Sequence, residues 1–280
     1  MRVFIKNIFI FLIILPLLFY GISLYFLYTG KYKETVEGSV VYNVIARSKT
    51  KWKARKLLLG DSVGEQLFPC YQNDETIVSL ASNESIGMMG QYLLLNNFIN
   101  AGNTIDTLYL LFNPLSFQNN MDGRKKYQFF LKTFYTDEYK PLFLKSVSNQ
   151  LEKIPYKSIC QNPCVKTTDW VPYKGLFNSE EGKTSEMFLS QVSADCINKM
   201  KQLSILHNFK ILVLPSPVIL SNKQRILALD RSLIEKNDLT SDFKNYFKDI
   251  IFLEKGNFMD GYHLNKPEDY REFYISHLMK

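Results

Sequence analysis

The stretch "KLLLGDSVGEQLF", residues 56–68, joins an apolar run, a turn and a helix-like segment. Three consecutive leucines are typical of a strand that is buried on both faces of a parallel sheet. Gly60, Asp61 and Ser62 follow, and turns and helix N-termini favour these residue types. We therefore expect a strand that passes directly into a helix, which is the repeating unit of α/β sheets.

Four further apolar runs predict strands later in the chain. They are "TIVSLAS" (76–82), "DTLYLLFN" (106–113), "FKILVLP" (209–215) and "DIIFLE" (249–254). Helical patterns between several of them favour an α/β fold, a doubly wound parallel sheet with right-handed crossovers.

Three segments are predicted to be helices. Apolar residues recur at helical spacing in 85–102 and 184–208, and Asn265 stands three residues before Glu268 at the start of 265–280, as in a capping box. Residues 114–183 break the alternation of strands and helices. We interpret them as an insertion after the third strand, lying over the carboxyl edge of the sheet.

The N-terminus predicts a membrane anchor. Residues 7–30, "NIFIFLIILPLLFYGISLYFLYTG", carry no charge, and Arg2 and Lys6 precede them. This length suits one helical crossing of a bilayer, through residues 8–29, and no small-residue cleavage site stands out. We therefore divide the chain into an anchor (1–30), a polar stalk (31–55) and a folded domain (56–280).

Composition indicates a globular domain. The chain has 280 residues and a net charge of +7, with 46% hydrophobic and 22% charged residues. Such values are ordinary for a folded protein and argue against disorder. The basic charge suits a solvated lysine-rich surface, or a neighbouring anionic membrane or acidic glycan. No arginine-rich block or nucleic-acid-binding motif is present, so we expect no nucleic-acid partner.

The four cysteines, Cys70, Cys160, Cys164 and Cys196, leave disulfide pairing open. In an exported domain they could form disulfides, and "CQNPC" (160–164) could close a small loop on itself. Zinc is the rival interpretation, but no histidine stands at ligand spacing from this pair. We expect no metal and no cofactor.

Two polar groups at opposite ends of the domain predict a nucleophilic site. Ser62 follows the first strand directly, and in an open α/β sheet ligands bind beyond the carboxyl ends of the strands. "FMDGYHL" follows the last predicted strand and places Asp260 three residues before His263. A serine needs a base to become a good nucleophile, and a carboxylate can hold that base in the right tautomer. The alternative interpretations are structural. Ser62 could simply cap a helix, and Asp260 and His263 could be two polar loop residues without a catalytic role.

Gly-Asp-Ser after an early strand, with Asp-x-x-His near the end of the domain, resembles the SGNH/GDSL hydrolase superfamily. The resemblance spans roughly residues 56–280 and implies a flavodoxin-like fold with Ser62, His263 and Asp260 as the catalytic triad. It also implies an oxyanion hole made by the Ser62 N–H, a glycine after the second strand and an asparagine after the third.

The middle of the chain departs from the family pattern. Gly87 and Gly90 are the candidates for the glycine, but no Gly-x-Asn-Asp block follows the third strand. Asn113, at the end of that strand, is the first choice for the amide donor, and Asn119 and Asn120 are next.

An anchored domain of this kind is similar to membrane-tethered enzymes that add or remove acyl groups on exported polysaccharides. That resemblance implies O-acyl transfer or ester hydrolysis on a cell-envelope glycan, in a periplasmic or extracellular domain. It also implies that a multi-spanning membrane protein could supply the acyl group. The alternatives are a non-catalytic envelope protein that binds or scaffolds a glycan and, more weakly, a membrane-bound lipase.

Overall fold

The computed structural model describes residues 2–35, 38–70, 76–121, 123, 125–154, 157 and 186–278. Its strands are β1 (Lys56–Gly60), β2 (Ile77–Ser79), β3 (Thr107–Phe112), β4 (Lys210–Pro215), β5 (Val218–Ile219) and β6 (Phe252–Leu253). Its α-helices are α1 (Arg2–Thr29), α2 (Tyr32–Thr35), α3 (Ser39–Ser48), α4 (Ser62–Leu67), α5 (Gly87–Asn100), α6 (Lys132–Phe134), α7 (Lys145–Glu152), α8 (Gln191–His207), α9 (Lys223–Leu227), α10 (Ser232–Lys236) and α11 (Glu268–Phe273). Single π-turns, Tyr127–Leu131 and Tyr274–Leu278, precede α6 and follow α11.

A four-stranded parallel sheet forms the centre of the domain, with strand order β2-β1-β3-β4. Gly60 of β1 pairs with Leu111 of β3, and Phe112 of β3 pairs with Pro215 of β4. The strands β1, β3 and β4 therefore end at one common edge. The fifth predicted strand is shorter than expected, because β6 has two residues and pairs in parallel with β5 in a separate sheet.

Apolar side chains cover both faces of the sheet. Leu57 and Leu59 of β1 belong to one buried cluster, and Leu58 belongs to the other. Helices α3, α5 and α8 pack into the first cluster, whereas α4 and the turn after α11 pack into the second. This two-sided burial explains why the strands are continuous apolar runs rather than alternating ones.

Helix α1 matches the predicted anchor. Its segment Phe4–Thr29 is long and apolar enough to cross a membrane, with a mean hydropathy of 2.5. Only 6% of its most apolar window is buried inside the protein, so its apolar side chains face outward. An apolar helix without a protein core around it is suited to a lipid environment.

The predicted stalk at 31–55 is not a free linker, and this is a correction. Residues Ser39–Ser48 form α3, in which Val41 and Val44 are fully buried in the same cluster as β1 and α5. The Ser48 hydroxyl accepts a hydrogen bond from the Asn97 amide of α5 at 3.0 Å. The lysines of 31–55 lie before and after α3, and they give the whole segment the polar composition of a linker.

The described part of the 114–183 insertion is packed against the domain. Phe117, Phe130, Val147 and Leu151 are buried in the cluster that holds α5 and α8. The ammonium of the buried Lys126 donates to the Ser85 carbonyl at 2.8 Å, which ties the insertion to the loop after β2. Cys160, Cys164, Trp170 and Tyr173 lie outside the described residues.

Candidate active site

The turn between β1 and α4 presents Ser62 as the first residue of the helix, while Asp61 serves as the N-cap. The Asp61 Oδ1 accepts the backbone N–H groups of Val63 and Gly64 at 3.0 and 3.2 Å. The Ser62 hydroxyl is therefore not needed for capping, which removes the simple structural interpretation of this serine.

Glycines allow this turn to lie close to β3. A Cβ atom added to Gly60 would come within 2.7 Å of the Leu111 carbonyl oxygen, and one added to Gly64 would come within 3.0 Å of the same oxygen. Both contacts are with backbone, which cannot rotate away as a side chain can. The glycines around Asp61 and Ser62 thus let the turn pack directly on the neighbouring strand.

Asp61 also connects β1 to the end of β3. Its Oδ2 accepts the Asn113 N–H at 2.7 Å and the Ser116 hydroxyl at 2.6 Å. Burial raises the pKa of the Asp61 carboxyl above its usual value, and the donors from Ser116, Asn113, Gly64 and Val63 oppose that rise. The fully enclosed carboxylate is satisfied by these donors, as buried polar groups must be.

The loop that carries Asp260 and His263 is a tight turn closed by an antiparallel bridge between Phe258 and Leu264. The Met259 N–H donates to the His263 carbonyl at 2.8 Å across the turn. Gly261 has a φ of +87°, a left-handed conformation that other residues rarely adopt. These constraints fold Asp260 back toward His263.

The Asp260 carboxylate contacts both the backbone N–H and the imidazole ring of His263. Its Oδ1 accepts the backbone N–H groups of His263 and Tyr262 at 2.8 and 3.0 Å, and its Oδ2 lies 2.6 Å from the His263 Nδ1. The bond from the His263 N–H, followed by those from the ring and from Tyr262, lowers the pKa of the Asp260 carboxyl. Asp260 is therefore an acceptor for Nδ1–H, and this tautomer leaves Nε2 free to accept a proton.

The third contact joins the two ends of the domain. The His263 Nε2 lies 2.9 Å from the Ser62 Oγ. Ser62, His263 and Asp260 thus form a continuous hydrogen-bonded chain of hydroxyl, imidazole and carboxylate. Such a chain can move a proton from a serine hydroxyl to an imidazole, and that transfer makes the oxygen nucleophilic.

Glu65 adds a second carboxyl group on the serine's helix. Burial raises the pKa of Glu65, and the nearby His263 opposes this rise. Glu65 therefore places a second carboxyl group near the imidazole. Sequence reasoning did not identify Glu65, because its relation to His263 exists only in the folded chain.

The three other predicted oxyanion residues have different environments. Gly87, with a φ of +60°, begins α5 beside Met121, Lys126 and Asn119, and its left-handed conformation favours glycine. Gly90 lies in the first turn of α5, where an added Cβ would come within 2.6 Å of the Ile86 side chain. Its lack of a side chain therefore serves close packing inside the helix.

Asn113 lies beside the serine by register. Ser62 and Asn113 each stand two residues beyond the Gly60–Leu111 pair of neighbouring parallel strands. The Asn113 Oδ1 accepts the Leu115 N–H at 3.0 Å, and its backbone N–H is bound to Asp61. Its side-chain amide nitrogen is thus the donor that remains for a ligand.

Two of the cysteines lie in the described part of the chain. Cys70 is half-buried and Cys196 is buried, and both are free thiols. Burial raises the pKa of each thiol, which disfavours the reactive thiolate. Within the described ranges, no group of three or more His, Cys, Asp or Glu side chains is arranged to hold a metal ion.

Comparison with known proteins finds no family model, curated protein or solved structure that matches the chain.

Proposed function

We propose that this protein is a serine-dependent O-acyltransferase or carbohydrate esterase that acts on ester-linked acyl groups of a cell-envelope polysaccharide. The observation that carries the proposal is the contact chain in which Ser62 Oγ lies 2.9 Å from His263 Nε2 and His263 Nδ1 lies 2.6 Å from Asp260. A serine, a base and an orienting carboxylate in this order are the parts that acyl-transfer chemistry needs.

In the first half-reaction, the Ser62 oxygen attacks the acyl carbonyl carbon while its proton moves to His263 Nε2. Asp260 stabilises the imidazolium through Nδ1–H. The tetrahedral intermediate collapses, the bond to the departing alcohol breaks, and His263 returns the proton to that alcohol. Ser62 then carries the acyl group as an ester.

In the second half-reaction, water or a sugar hydroxyl attacks the acyl-serine. His263 takes the proton of the incoming oxygen and delivers it to Ser62 as the ester bond breaks. Water gives a free acid and a sugar hydroxyl gives a transferred acyl group. The same residues therefore serve both outcomes.

Negative charge on the carbonyl oxygen needs hydrogen-bond donors in both half-reactions. We assign this role to the Ser62 N–H, the Asn113 side-chain amide, and a backbone N–H from Gly87 or Gly90. The strand register supports Asn113, because it places that residue beside Ser62. Gly87 has weaker support, because it begins α5 and its N–H already donates to the Glu84 carbonyl.

The proposed family is the SGNH/GDSL hydrolase superfamily. The strand order β2-β1-β3-β4 supports it, since flavodoxin-like sheets have the order 2-1-3-4-5. The position of Ser62 directly after β1 and of His263 after β6 agrees with the order in which that superfamily arranges its triad.

The exposure of the triad bears on the substrate. About a third of the His263 side chain and more than half of the Asp260 side chain are exposed, at 34% and 54%. A site this open suits an ester on a large molecule that lies across the surface. Water also reaches such a site, so transfer requires an acceptor that covers the acyl-enzyme.

We favour transfer because the anchor and the long insertion suit a membrane-bound acyl donor and a glycan acceptor.

The anchor supports an envelope location. We propose that α1 crosses the membrane with its N-terminus in the cytoplasm, and that the domain is periplasmic or extracellular. Such tethering holds the acyl-serine near the bilayer, where a multi-spanning membrane protein could deliver acyl groups to it.

The test compares turnover of an activated acetate ester by the full-length protein in detergent and by its Ser62→Ala variant. Ser241→Ala, at an exposed serine in the turn before β6, is the matched control. Loss of turnover in Ser62→Ala alone supports the proposal. Equal turnover in the wild type and Ser62→Ala would exclude Ser62 as nucleophile and leave a glycan-binding or scaffolding protein as the better interpretation.

A further inference from the structure

Gln66 forms a direct bridge between the helix of Ser62 and the loop of His263. It lies on α4, one helical turn after Ser62. Its side-chain Oε1 accepts the Leu264 N–H at 2.9 Å, and its Nε2 donates to the Leu264 carbonyl at 3.4 Å. A single amide thus binds both backbone groups of the residue that follows His263, across 198 positions of sequence.

The His263 loop also reaches the central sheet through Phe258 and Leu264, which share a buried cluster with Leu58 of β1. The strand before it, β6, has two residues and pairs with β5 rather than with β4. The Leu264 side chain is fully buried in the cluster that contains Val63 and Leu67 of α4. The backbone and the side chain of Leu264 are therefore both fixed against the helix that begins with Ser62.

We propose that Gln66 is a positioning residue that sets the distance between His263 Nε2 and Ser62 Oγ. This inference rests on the proposed function, since it concerns the proton transfer between those two atoms. Gln66 does not touch the reacting groups. It acts by holding the residue after His263 at a fixed place relative to the first turn of α4.

The chemistry of glutamine suits this position. Its amide offers an acceptor to the Leu264 N–H and a donor to the Leu264 carbonyl, so it can satisfy both groups at once. Glutamate would keep the acceptor and lose the donor. Methionine has a similar length and would lose both bonds.

The test measures kcat and KM for an activated acetate ester with full-length Gln66→Met in detergent. We expect kcat to fall by roughly ten- to hundred-fold with KM unchanged, because small misplacements of reacting groups slow the chemical step. Gln66→Glu, which retains the acceptor, should keep more of kcat than Gln66→Met. Thermal unfolding of each variant reports the structural effect separately.

Arg271→Met is the matched control. Arg271 Nε donates to the Leu67 carbonyl, so it ties α11 to the C-terminal end of the same helix. We expect this variant to lose stability but keep kcat. If kcat falls in both Gln66→Met and Arg271→Met in proportion to the loss of thermal stability, the positioning role is overturned.

A double mutant gives an independent readout. If Gln66 acts through His263, Gln66→Met should lower turnover no further in a His263→Ala background. Additive losses would overturn the inference. Turnover that survives Ser62→Ala overturns the proposed function and this inference together, whereas inactive Ser62→Ala with fully active Gln66→Met overturns the inference alone.

Discussion

Ser62 Oγ and His263 Nε2 lie 2.9 Å apart although 201 positions of sequence separate the two residues. The contact is possible because Ser62 begins α4 directly after β1, and the loop of His263 packs on that helix through Leu264, which is buried with Val63 and Leu67. The adjacent Asp260 then completes the chain through the His263 Nδ1. The site therefore depends on packing between the first and last segments of the domain.

Asp260→Asn tests the orienting carboxylate. An asparagine has one oxygen in place of two, so it cannot accept the Nδ1–H and both backbone N–H groups as Asp260 does. We expect kcat on an activated acetate ester to fall by about 10²- to 10⁴-fold, because the imidazole loses its correct tautomer. Unchanged kcat would show that Asp260 has no catalytic role.

The charge of Asp260 also predicts a pH dependence of stability. Hydrogen bonds from His263 and Tyr262 hold its folded-state pKa below the ordinary aspartate value of 3.8. A depressed acid pKa contributes stability above the unfolded-state pKa, and that contribution disappears as pH falls through the folded-state pKa. Thermal unfolding should therefore separate wild type from Asp260→Asn at pH 5 and above, and the difference should shrink below about pH 4.

Asn113→Ala tests the proposed oxyanion donor. Removing one such donor should reduce kcat by about 10²- to 10³-fold. Asn119→Ala is the comparison, because the Asn119 amide already donates to the Glu84 carbonyl at 3.0 Å. A larger loss of kcat in Asn119→Ala than in Asn113→Ala would contradict this assignment and indicate Asn119 as the oxyanion donor.

Gly60→Ala tests the close packing of the Ser62 turn. The added methyl would press on the Leu111 carbonyl oxygen at 2.7 Å, so β1 and β3 would have to separate. Overpacking of this kind costs about 1–3 kcal/mol of unfolding free energy. Gly256→Ala is the control, since no heavy atom lies within 4 Å of its added Cβ. Equal denaturation midpoints for the two variants would contradict the packing argument.

Tyr262→Ala tests whether the exposed surface beside His263 contacts a large substrate. The Tyr262 residue is 51% exposed and precedes His263 directly. Loss of an aromatic contact should raise KM for an acylated polysaccharide about two- to tenfold and leave turnover of a small ester unchanged. Tyr262→Phe keeps the ring and should behave as wild type. Equal effects on both substrates would indicate disturbance of His263 instead.

The central strands could be predicted from the sequence, and the outer elements only in part. Strand β1 has the predicted bounds, 56–60. A continuous apolar run is stable as a central strand of a sheet that is covered on both faces, so its position could be predicted from the sequence. The run at 249–254 gives only the two residues of β6, since β5 offers just two partners. Strand length there depends on a neighbour that the local sequence does not reveal.

Local capping rules failed at the last helix. Asn265 and Glu268 resemble a capping box, yet α11 begins at Glu268 and the Asn265 amide donates to the Gly256 carbonyl at 2.8 Å. A loop contact nine positions away replaced the expected cap. The amphipathic α3 was likewise hidden among lysines, because its burial depends on contact with α5.

For the site, the sequence identified the three candidate catalytic residues but not the residues that hold them in place. The two end motifs indicated Ser62, Asp260 and His263, and the structure brings these three into contact. Gln66 and Ser116 were missed, because ordinary polar residues in a helix or loop carry no signal until their partners are known. The catalytic role of the three residues and the oxyanion donors stay predictions.

The most direct test is covalent labelling of the full-length protein with a serine-reactive phosphonate, followed by mass spectrometry of the modified peptide. We expect one adduct on Ser62, formed at a rate that falls by about 10²-fold or more in His263→Ala, because the base that activates the hydroxyl is gone. Labelling of other serines at the same rate as Ser62, or equal labelling of Ser62 in wild type and His263→Ala, would contradict the account.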